Sequence, residues 1–215
     1  MNETTGGILT GNAIREAVAS GDIVIDPWNP THLHDEDRIN PASYDLYLGD
    51  QVAVYEHATW VGKYPPGPVD GQQVHAVRDC VLDVREPQPV RTFFINPETG
   101  WVLKPGIGYL MHTHERILTK KYVPVLDGKS SVGRLFITAH VTAGYGDAGF
   151  DGQYTLEVVA LAHGVRVFPN MLFCQMRFHT QVGAPMEYGK KGNYVGMAAK
   201  GPVPSMIHKS FRKPE

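Results

Sequence analysis

The chain has 215 residues, of which 42% are hydrophobic; this is enough for one domain with a proper core and short for two. Its 23 glycines and 16 prolines are typical of a turn-rich β protein and argue against a helical bundle or a disordered chain. The formal net charge of -2 excludes a global basic field for nucleic acid, although a local basic patch would suffice for a single nucleotide. We therefore expect a single domain over residues 1–215.

The cysteine content bears on the redox environment. Cys80 and Cys174 are the only cysteines, and no stretch has the pattern of a signal peptide or a membrane-spanning helix. We expect a reduced, cytoplasmic setting with two isolated buried thiols, while a disulfide between them stays open as the alternative.

The first predicted element is a short amphipathic helix over residues 10–21. Ile14 and Val18 recur at helical spacing, Asn12 is a candidate N-cap, and Gly21 is a candidate residue to end the helix. No helical pattern appears after this point in the sequence.

The rest of the chain is predicted to form short strands separated by Gly and Pro turns. An alternating polar and apolar pattern indicates a half-buried strand at residues 43–49. Many short strands favour a β-sandwich or barrel over a sheet with crossover helices. The Pro- and Gly-rich stretch 60–90 is interpreted as a long excursion of unknown role. The predicted strands cover residues 23–25, 43–49, 51–55, 91–95, 108–115, 122–126, 137–143, 154–161, 166–168 and 172–178.

Two pairs of histidines are candidates for metal ligands. His32 and His34 lie in a polar loop, whereas His112 and His114 are two apart on a predicted strand and so share one face. No further ligand has a fixed spacing to either pair. We interpret the first pair as solvated and the second as surface or core-edge histidines, and predict no metal site.

Residues 127–134, Asp-Gly-Lys-Ser-Ser-Val-Gly-Arg, combine the groups that hold an anion. They supply a glycine turn, the cation of Lys129, two neighbouring hydroxyls and the guanidinium of Arg134. The stretch therefore predicts an anion-binding turn, and it directly precedes the strand predicted at 137–143.

Glu157 lies in the middle of the apolar strand predicted at 154–161. A carboxylate in such a setting is costly unless it is paired or faces a cleft. Two interpretations stay open at this point. Glu157 is either a structural strand residue, for example paired with an arginine, or a general base that faces a substrate whose phosphates are held at residues 128–131.

Four motifs, in the same order and at the same spacing, resemble the core of the dCTP deaminases, a branch of the trimeric dUTPase superfamily. They are Gly128-Lys-Ser-Ser-Val-Gly-Arg134, His140-Val-Thr-Ala143, Asp147-Ala-Gly-Phe-Asp-Gly152 and Thr155-Leu-Glu157. Further similarity is seen at residues 39–49, 103–106 and 201–205, so that the resemblance covers most of the chain. It implies a distorted jelly-roll or β-barrel of the dUTPase type, assembled as a homotrimer with active sites between subunits.

The resemblance also implies a metal-free reaction centre. Glu157 would be the general acid and base, and Ser130 and the backbone carbonyl of Ala143 would hold the attacking water. Arg134 would orient Glu157 or stabilise developing charge. The signature of zinc-dependent base deaminases, His-x-Glu with Pro-Cys-x-x-Cys, is absent from the sequence, so we expect no zinc.

The implied substrate contacts extend along the second half of the chain. Phosphate would be held by the turn at residues 129–131 together with Arg134, and Mg²⁺ would arrive with the triphosphate, bound mainly by its oxygens. Asp147 would bind the sugar 3′-hydroxyl, and Phe150 would pack against the deoxyribose. The phosphate contacts of the turn would come from Lys129, Ser130 and Ser131. The backbone of Thr155 and Leu156 would contact the base edge, and Gln175 and Tyr188 would lie at the pocket wall.

The C-terminal tail departs from the family pattern, which commonly reads Lys-Tyr-x-Gly-Gln. Here the stretch reads Asn193-Tyr-Val-Gly-Met197, and Lys190, Lys191 or Lys200 are candidates to replace the lost cation. We predict that residues from about 186 to 215 form a flexible lid over the nucleotide.

The leading functional hypothesis is hydrolysis of dCTP to dUTP and ammonia in deoxypyrimidine nucleotide metabolism. Two alternatives remain open: a dUTPase or a bifunctional enzyme that gives dUMP, and a catalytically inactive nucleotide-binding trimer with a regulatory role. In the dUTPase alternative Asp147 would activate the water that attacks the α-phosphate.

Overall fold

The computed structural model describes residues 6–30, 38–55, 82–183, 188, 192–194 and 201–211. Over these residues the chain is mainly β, with one short helix near the N-terminus, as predicted. None of the helices in the described part is long and apolar enough to cross a membrane. The elements are α1 (Gly11–Ala19), β1 (Ile23–Asp26), β2 (Ile39–Asn40), β3 (Ser43–Tyr47), β4 (Gln51–Tyr55), β5 (Val90–Phe94), β6 (Trp101–Leu103), β7 (Gly108–Thr119), β8 (Tyr122–Gly128), α2 (Ser130–Gly133), β9 (Asp151–Val159), β10 (Val165–Val167), β11 (Leu172–Thr180) and a 3₁₀ helix (Ile207–Phe211).

Helix α1 is capped by Thr10, whose Oγ1 accepts a hydrogen bond from the N–H of Ala13 at 3.3 Å. The prediction that Asn12 caps the helix is wrong, because the helix begins one residue before it, at Gly11. Gly21 follows the helix with a φ of 73°, a conformation that glycine adopts at little cost, and this agrees with its predicted role.

The strands form two larger antiparallel sheets and one small one. Strands β1, β7, β4 and β5 are neighbours in that order, and β9 also pairs with β7. The second sheet has the order β2, β3, β11, β8, and β10 pairs with β6. Side chains of both larger sheets meet in one hydrophobic cluster that includes Leu46, Met111, Leu156 and Met176, all fully buried.

Strand β7 is the longest strand of the described residues and pairs there with three others. Its register with β9 shifts between His112 and Arg116. Within this irregularity the N–H of Tyr154 donates to Thr113 Oγ1 at 2.9 Å instead of to a backbone carbonyl. The shift therefore fixes the local position of Tyr154 at the N-terminal half of β9.

A buried ion pair joins the two larger sheets. The Arg38 guanidinium, just before β2, contacts the Glu115 carboxylate of β7, and neither side chain is exposed. Arg38 lies 3.8 Å from the ring centroid of Tyr47 and donates to the backbone oxygen of Asp45 at 2.7 Å. Each charge is thereby compensated, as burial requires.

Strand β3 is buried on both faces, whereas a half-buried strand was predicted. The difference arises because its polar residues are covered by partners from other elements, both neighbouring and distant in the sequence. Asp45 accepts from Asn40 Nδ2 at 2.8 Å and is paired with the Lys129 ammonium, while Ser43 donates to the Gln175 side chain at 2.7 Å.

The strand predicted over residues 137–143 is not formed, apart from a single bridge at Ile137. Thr138 explains this, because its N–H donates to Val159 O while its Oγ1 accepts from Val159 N–H, both at 2.9 Å. A side chain thus takes the place of the second backbone partner. The segment runs along β9 without a regular ladder and turns towards Glu157.

Several predictions fall on residues outside the described part of the chain. They concern His32, His34, Cys80 and most of the predicted 60–90 excursion. Cys174 is buried and forms no disulfide with any described residue.

Candidate active site

Glu157 is directed into a cavity by the alternation of strand β9. Leu156 and Val158 on either side of it are fully buried, whereas Glu157 is only partly buried. The cavity has a volume of about 320 Å³ and Glu157 is part of its lining. The apolar neighbours that made this carboxylate conspicuous in the sequence are thus core residues, and the carboxylate itself faces open space.

One carboxylate oxygen of Glu157 is oriented by the backbone. Val141 N–H donates to Oε2 at 3.0 Å, and this is the hydrogen bond that the described residues provide to the carboxylate. Val141 belongs to the irregular segment that precedes Ala143, which lines the same cavity. The missing strand therefore has a consequence for the site, because the irregular segment brings a backbone N–H to Glu157.

Three aromatic residues, Phe150, Tyr154 and Tyr188, also line the cavity. The ring of Phe150 packs edge-on against Tyr154 at 4.9 Å between centroids and against Tyr188 at 5.9 Å. Burial raises the pKa of both tyrosines, and the nearby charge of Asp147 acts in the same direction. Both phenols are therefore protonated at neutral pH and can donate hydrogen bonds.

The cavity contains six of the residues predicted for the site. These are Ala143, Asp147, Phe150, Thr155, Glu157 and Tyr188. Leu156, predicted to contact the base through its backbone, has its side chain in the core. Lys191 and Lys200 lie outside the described residues.

The predicted phosphate-binding residues do not line this cavity. Residues 130–133 form α2, a single helical turn, and the side chains of Ser130, Ser131 and Arg134 are exposed. The Lys129 ammonium is paired with the buried carboxylate of Asp45. One chain therefore brings together only part of the predicted site.

Gln175 lies with this second group of residues. Its Nε2 donates to Gly128 O at 2.9 Å, and it lines a separate cavity of about 230 Å³ together with Ser43 and Arg177. Its side chain supports the turn before α2 and does not contribute to the lining of the Glu157 cavity.

The C-terminal tail packs beside the cavity. Gly201 N–H donates to Gln153 Oε1 at 2.9 Å, and Val203 N–H donates to Thr155 Oγ1 at 3.0 Å. Ser205 N–H donates to Tyr55 Oη at 3.2 Å. The tail thus adds backbone and side-chain atoms to the wall next to Thr155.

Several residues of the cavity were not predicted from the sequence. Tyr154 and Gln153 are in β9, just before the predicted residues Thr155, Leu156 and Glu157, and Tyr55 belongs to a distant strand. A tyrosine three residues before the key carboxylate was visible in the sequence. Its position at the cavity, however, depends on the register shift between β7 and β9, for which the sequence carries no pattern.

The predicted pair of strand histidines does not form a ligand pair. His112 is buried and its Nε2 accepts from Gln51 N–H at 3.3 Å, while the His114 ring packs edge-on against Tyr47 at 6.3 Å. Among the residues that the structure describes, no three His, Cys, Asp or Glu side chains are grouped so that they could hold a metal ion.

Comparisons with known proteins agree with the motifs. The family described as dCTP deaminase-like matches residues 8–181. A protein of Leptospira biflexa serovar Patoc named dCTP deaminase, dUMP-forming, is 39% identical over 206 residues, which cover 96% of this chain and 99% of that protein. A protein of the same name from Clostridium beijerinckii is 36% identical over the same shares of the two chains.

A solved structure is also similar. It is the 2′-deoxycytidine 5′-triphosphate deaminase of Agrobacterium tumefaciens, with a TM-score of 0.54 and 25% sequence identity. The match covers 82% of this chain and 49% of that one.

Proposed function

Since the chain belongs to the dCTP deaminase-like family, we propose that it hydrolyses dCTP to dUTP and ammonia and then dUTP to dUMP and pyrophosphate. In the first step a water oxygen bonds to C4 of cytosine and the C4–N bond to the leaving amine breaks. In the second step water adds to the α-phosphate and the bond to the leaving pyrophosphate breaks. The leading sequence-based hypothesis ends at dUTP, and the dUMP-forming names of the relatives favour continuation to dUMP.

The position of Glu157 carries the deaminase proposal. It is a carboxylate that lines a cavity, is oriented by Val141 N–H, and shares the cavity with Ala143. In our proposal Glu157 takes a proton from the attacking water and returns protons to N3 and to the leaving amine. The backbone carbonyl of Ala143 and the Ser130 hydroxyl would hold the water.

The rest of the cavity would hold the nucleoside. Asp147 would accept a hydrogen bond from the 3′-hydroxyl, and Phe150 would pack on the deoxyribose so that a 2′-hydroxyl fits poorly. The backbone at Thr155 and Leu156 would contact the base edge, with Tyr188 at the wall. The triphosphate would enter with Mg²⁺ on its own oxygens.

We further propose a homotrimer in which two subunits form each site. The separation of the predicted residues supports this, because Ser130, Ser131 and Arg134 are exposed and lie outside the lining of the Glu157 cavity. These groups would be supplied by a neighbouring subunit. Lys129 would add to the positive field at the phosphates, and its pairing with Asp45 would fix its position.

An exposed apolar patch next to α2 supports the same assembly. Leu135, Phe136 and Leu161 are between 43% and 63% exposed. Phe136 N–H donates to Gly133 O, and Phe136 O accepts from Leu161 N–H. Phe136 has a φ of 57°, which is strained for an aromatic residue. The strain and the exposure of an apolar ring are both unfavourable in an isolated subunit. Burial of the ring against another subunit would offset them.

The experiment that tests the proposal is the substitution Glu157→Gln. The amide keeps size and hydrogen bonding but cannot accept the proton, so ammonia release from dCTP should fall by about 10²- to 10⁴-fold or more. Calorimetric binding of dCTP should be largely retained. Asp151→Asn, which removes a surface carboxylate of the same strand that is paired with Arg116, is the matched control and should keep deamination.

The products of the wild type separate the alternatives. With dCTP, equal amounts of ammonia and pyrophosphate and an end product of dUMP are expected. Ammonia without pyrophosphate would mean that the enzyme stops at dUTP. Pyrophosphate from dUTP without ammonia from dCTP would identify a plain dUTPase, and binding with neither product a catalytically inactive trimer. If the Gln variant deaminates at the wild-type rate, Glu157 is only a strand residue.

A further inference from the structure

One buried polar atom at the cavity lacks a partner. Within the described residues, six buried side-chain nitrogen or oxygen atoms have no hydrogen-bond partner, and among them only Tyr154 Oη belongs to a residue that lines the Glu157 cavity. A buried hydroxyl without a partner is unfavourable in the free protein. Because Tyr154 lines the cavity, its hydroxyl is a candidate for a contact that a ligand completes.

The surroundings of this hydroxyl define where the ligand atom would lie. The phenol tip is against Gly146, where an added Cβ would be only 2.5 Å from Tyr154 Oη. Asp147 follows Gly146 directly in the sequence. The ring of Tyr154 packs against that of Phe150, with 4.9 Å between the centroids. The unpartnered donor is thus at the part of the cavity where Asp147 and Phe150 are expected to hold the sugar.

The chemistry of the sugar fits one donor and one acceptor. A 2′-deoxynucleoside 5′-phosphate has a single free sugar hydroxyl, at C3′. That oxygen can donate its proton to the Asp147 carboxylate and accept a hydrogen bond in the same geometry. The phenol of Tyr154 is a protonated donor at neutral pH, since burial and the charge of Asp147 both raise its pKa.

We propose that Tyr154 is a specificity-determining residue whose phenol donates a hydrogen bond to the 3′-oxygen of the bound deoxynucleotide, beside Asp147. This inference rests on the proposed function for the identity of the ligand. It assigns to Tyr154 the selection of nucleotides that carry a 3′-hydroxyl. Gly146 is then required because any side chain there would displace the phenol.

The test compares two substrates in two proteins. For wild type and Tyr154→Phe, kcat and KM are measured with dCTP and with 2′,3′-dideoxycytidine triphosphate. Loss of one neutral hydrogen bond corresponds to a decrease of about 2- to 13-fold in kcat/KM for dCTP, expressed mainly in KM. For the dideoxynucleotide the substitution should have no effect, because the partner oxygen is absent.

A matched control is Tyr145→Phe, which removes a phenol of an exposed side chain that lines the same cavity. It should leave the preference for dCTP over the dideoxynucleotide unchanged. A second readout is the melting temperature of the free protein. Removing a buried hydroxyl that has no partner should leave the Tm of Tyr154→Phe at or above the wild-type value.

The outcomes separate this inference from the proposed function. A Tyr154→Phe variant that loses the same factor with both nucleotides, or loses nothing with either, overturns the inference and leaves the deaminase proposal intact. A lower Tm of the free variant would also overturn it, since the hydroxyl would then have a structural partner. If the wild type releases no ammonia, calorimetric binding is measured for the same four combinations of protein and nucleotide. Equal dCTP and dideoxynucleotide affinities, or binding of neither by the wild type, would overturn it as well.

Discussion

His112 illustrates how a single buried side chain couples this fold to pH. Its Nε2 accepts from Gln51 N–H, and its Nδ1 lies 2.9 Å from Thr113 O, which fits the neutral tautomer with the proton on Nδ1. A second proton would have to replace the bond from Gln51. Burial lowers the pKa of His112 below its ordinary 6.5, against the opposing charge of Asp50 at 3.5 Å.

The expected consequence is a loss of stability in acid. A lowered pKa in the folded state means that the unfolded chain binds the proton first as the pH falls. The contribution of His112 is therefore fully present above about pH 6.5 and is lost as the pH decreases towards its folded-state pKa, with a slope of at most about 1.4 kcal/mol per pH unit. Urea unfolding of wild type and His112→Asn over this range measures it. Equal slopes in both proteins would contradict the prediction.

The tail is the element whose contacts bear most directly on the cavity. Its described part, residues 201–211, donates backbone hydrogen bonds to side chains on β4 and β9, and Val203 and Ser205 line the cavity. Since the donors are backbone groups, a change of tail sequence need not abolish these contacts. That the tail orders over a bound nucleotide remains a prediction.

Truncation tests the tail as an element. A chain that ends at Lys200 loses the contacts to Gln153 and Thr155, and we expect KM for dCTP to rise by about tenfold or more, because closing elements position substrate and exclude water. The elution volume in size-exclusion chromatography should not change. A chain that ends at Phe211 keeps all of these contacts and is the control. Unchanged kinetics of the shorter chain would mean that the tail is not part of the site.

The whole molecule is proposed to be a trimer because neither half of the predicted site is sufficient. Glu157 and Asp147 share one cavity, whereas Arg134 and the hydroxyls of α2 are exposed elsewhere on the same chain. The exposed apolar residues Leu135 and Phe136 follow α2 directly in the sequence. Leu161, the third residue of the patch, is joined to them because its N–H donates to Phe136 O. The single-domain organisation and the cytoplasmic setting also remain predictions.

Mixed oligomers test whether two subunits share a site. Glu157→Gln and Arg134→Ala proteins should each be nearly inactive, but co-expression in equal amounts should restore activity. About one site in four would combine an intact Glu157 with an intact Arg134 from the neighbour. The control is a mixture of Glu157→Gln and Asp147→Ala, which are in the same cavity and should not complement each other. No recovery in the first mixture would contradict the shared site.

The sequence by itself determined the β architecture and the position of the key carboxylate. Strand β4 was predicted with its observed ends, and residues 154–159 of β9 lie within the strand predicted at 154–161, because runs of apolar and β-branched residues between turn residues are a local property of the chain. Glu157 was singled out because a carboxylate in an apolar run is costly, and in the structure its two neighbours in β9 are fully buried. The motifs added the family and six residues that the structure brings to one cavity.

Only the tertiary structure decided which residues meet. Lys129 has the chemistry of a phosphate ligand, yet its ammonium is paired with Asp45, 84 residues away in sequence. The apolar run at 137–143 is predicted to be a strand, yet Thr138 Oγ1, and not a backbone carbonyl of this segment, accepts the hydrogen bond from Val159 N–H of β9. Tyr154 enters the cavity through a shift in the pairing of β7 and β9. Periodicity is encoded locally, whereas these contacts depend on register and on partners far along the chain, for which one sequence has no local pattern.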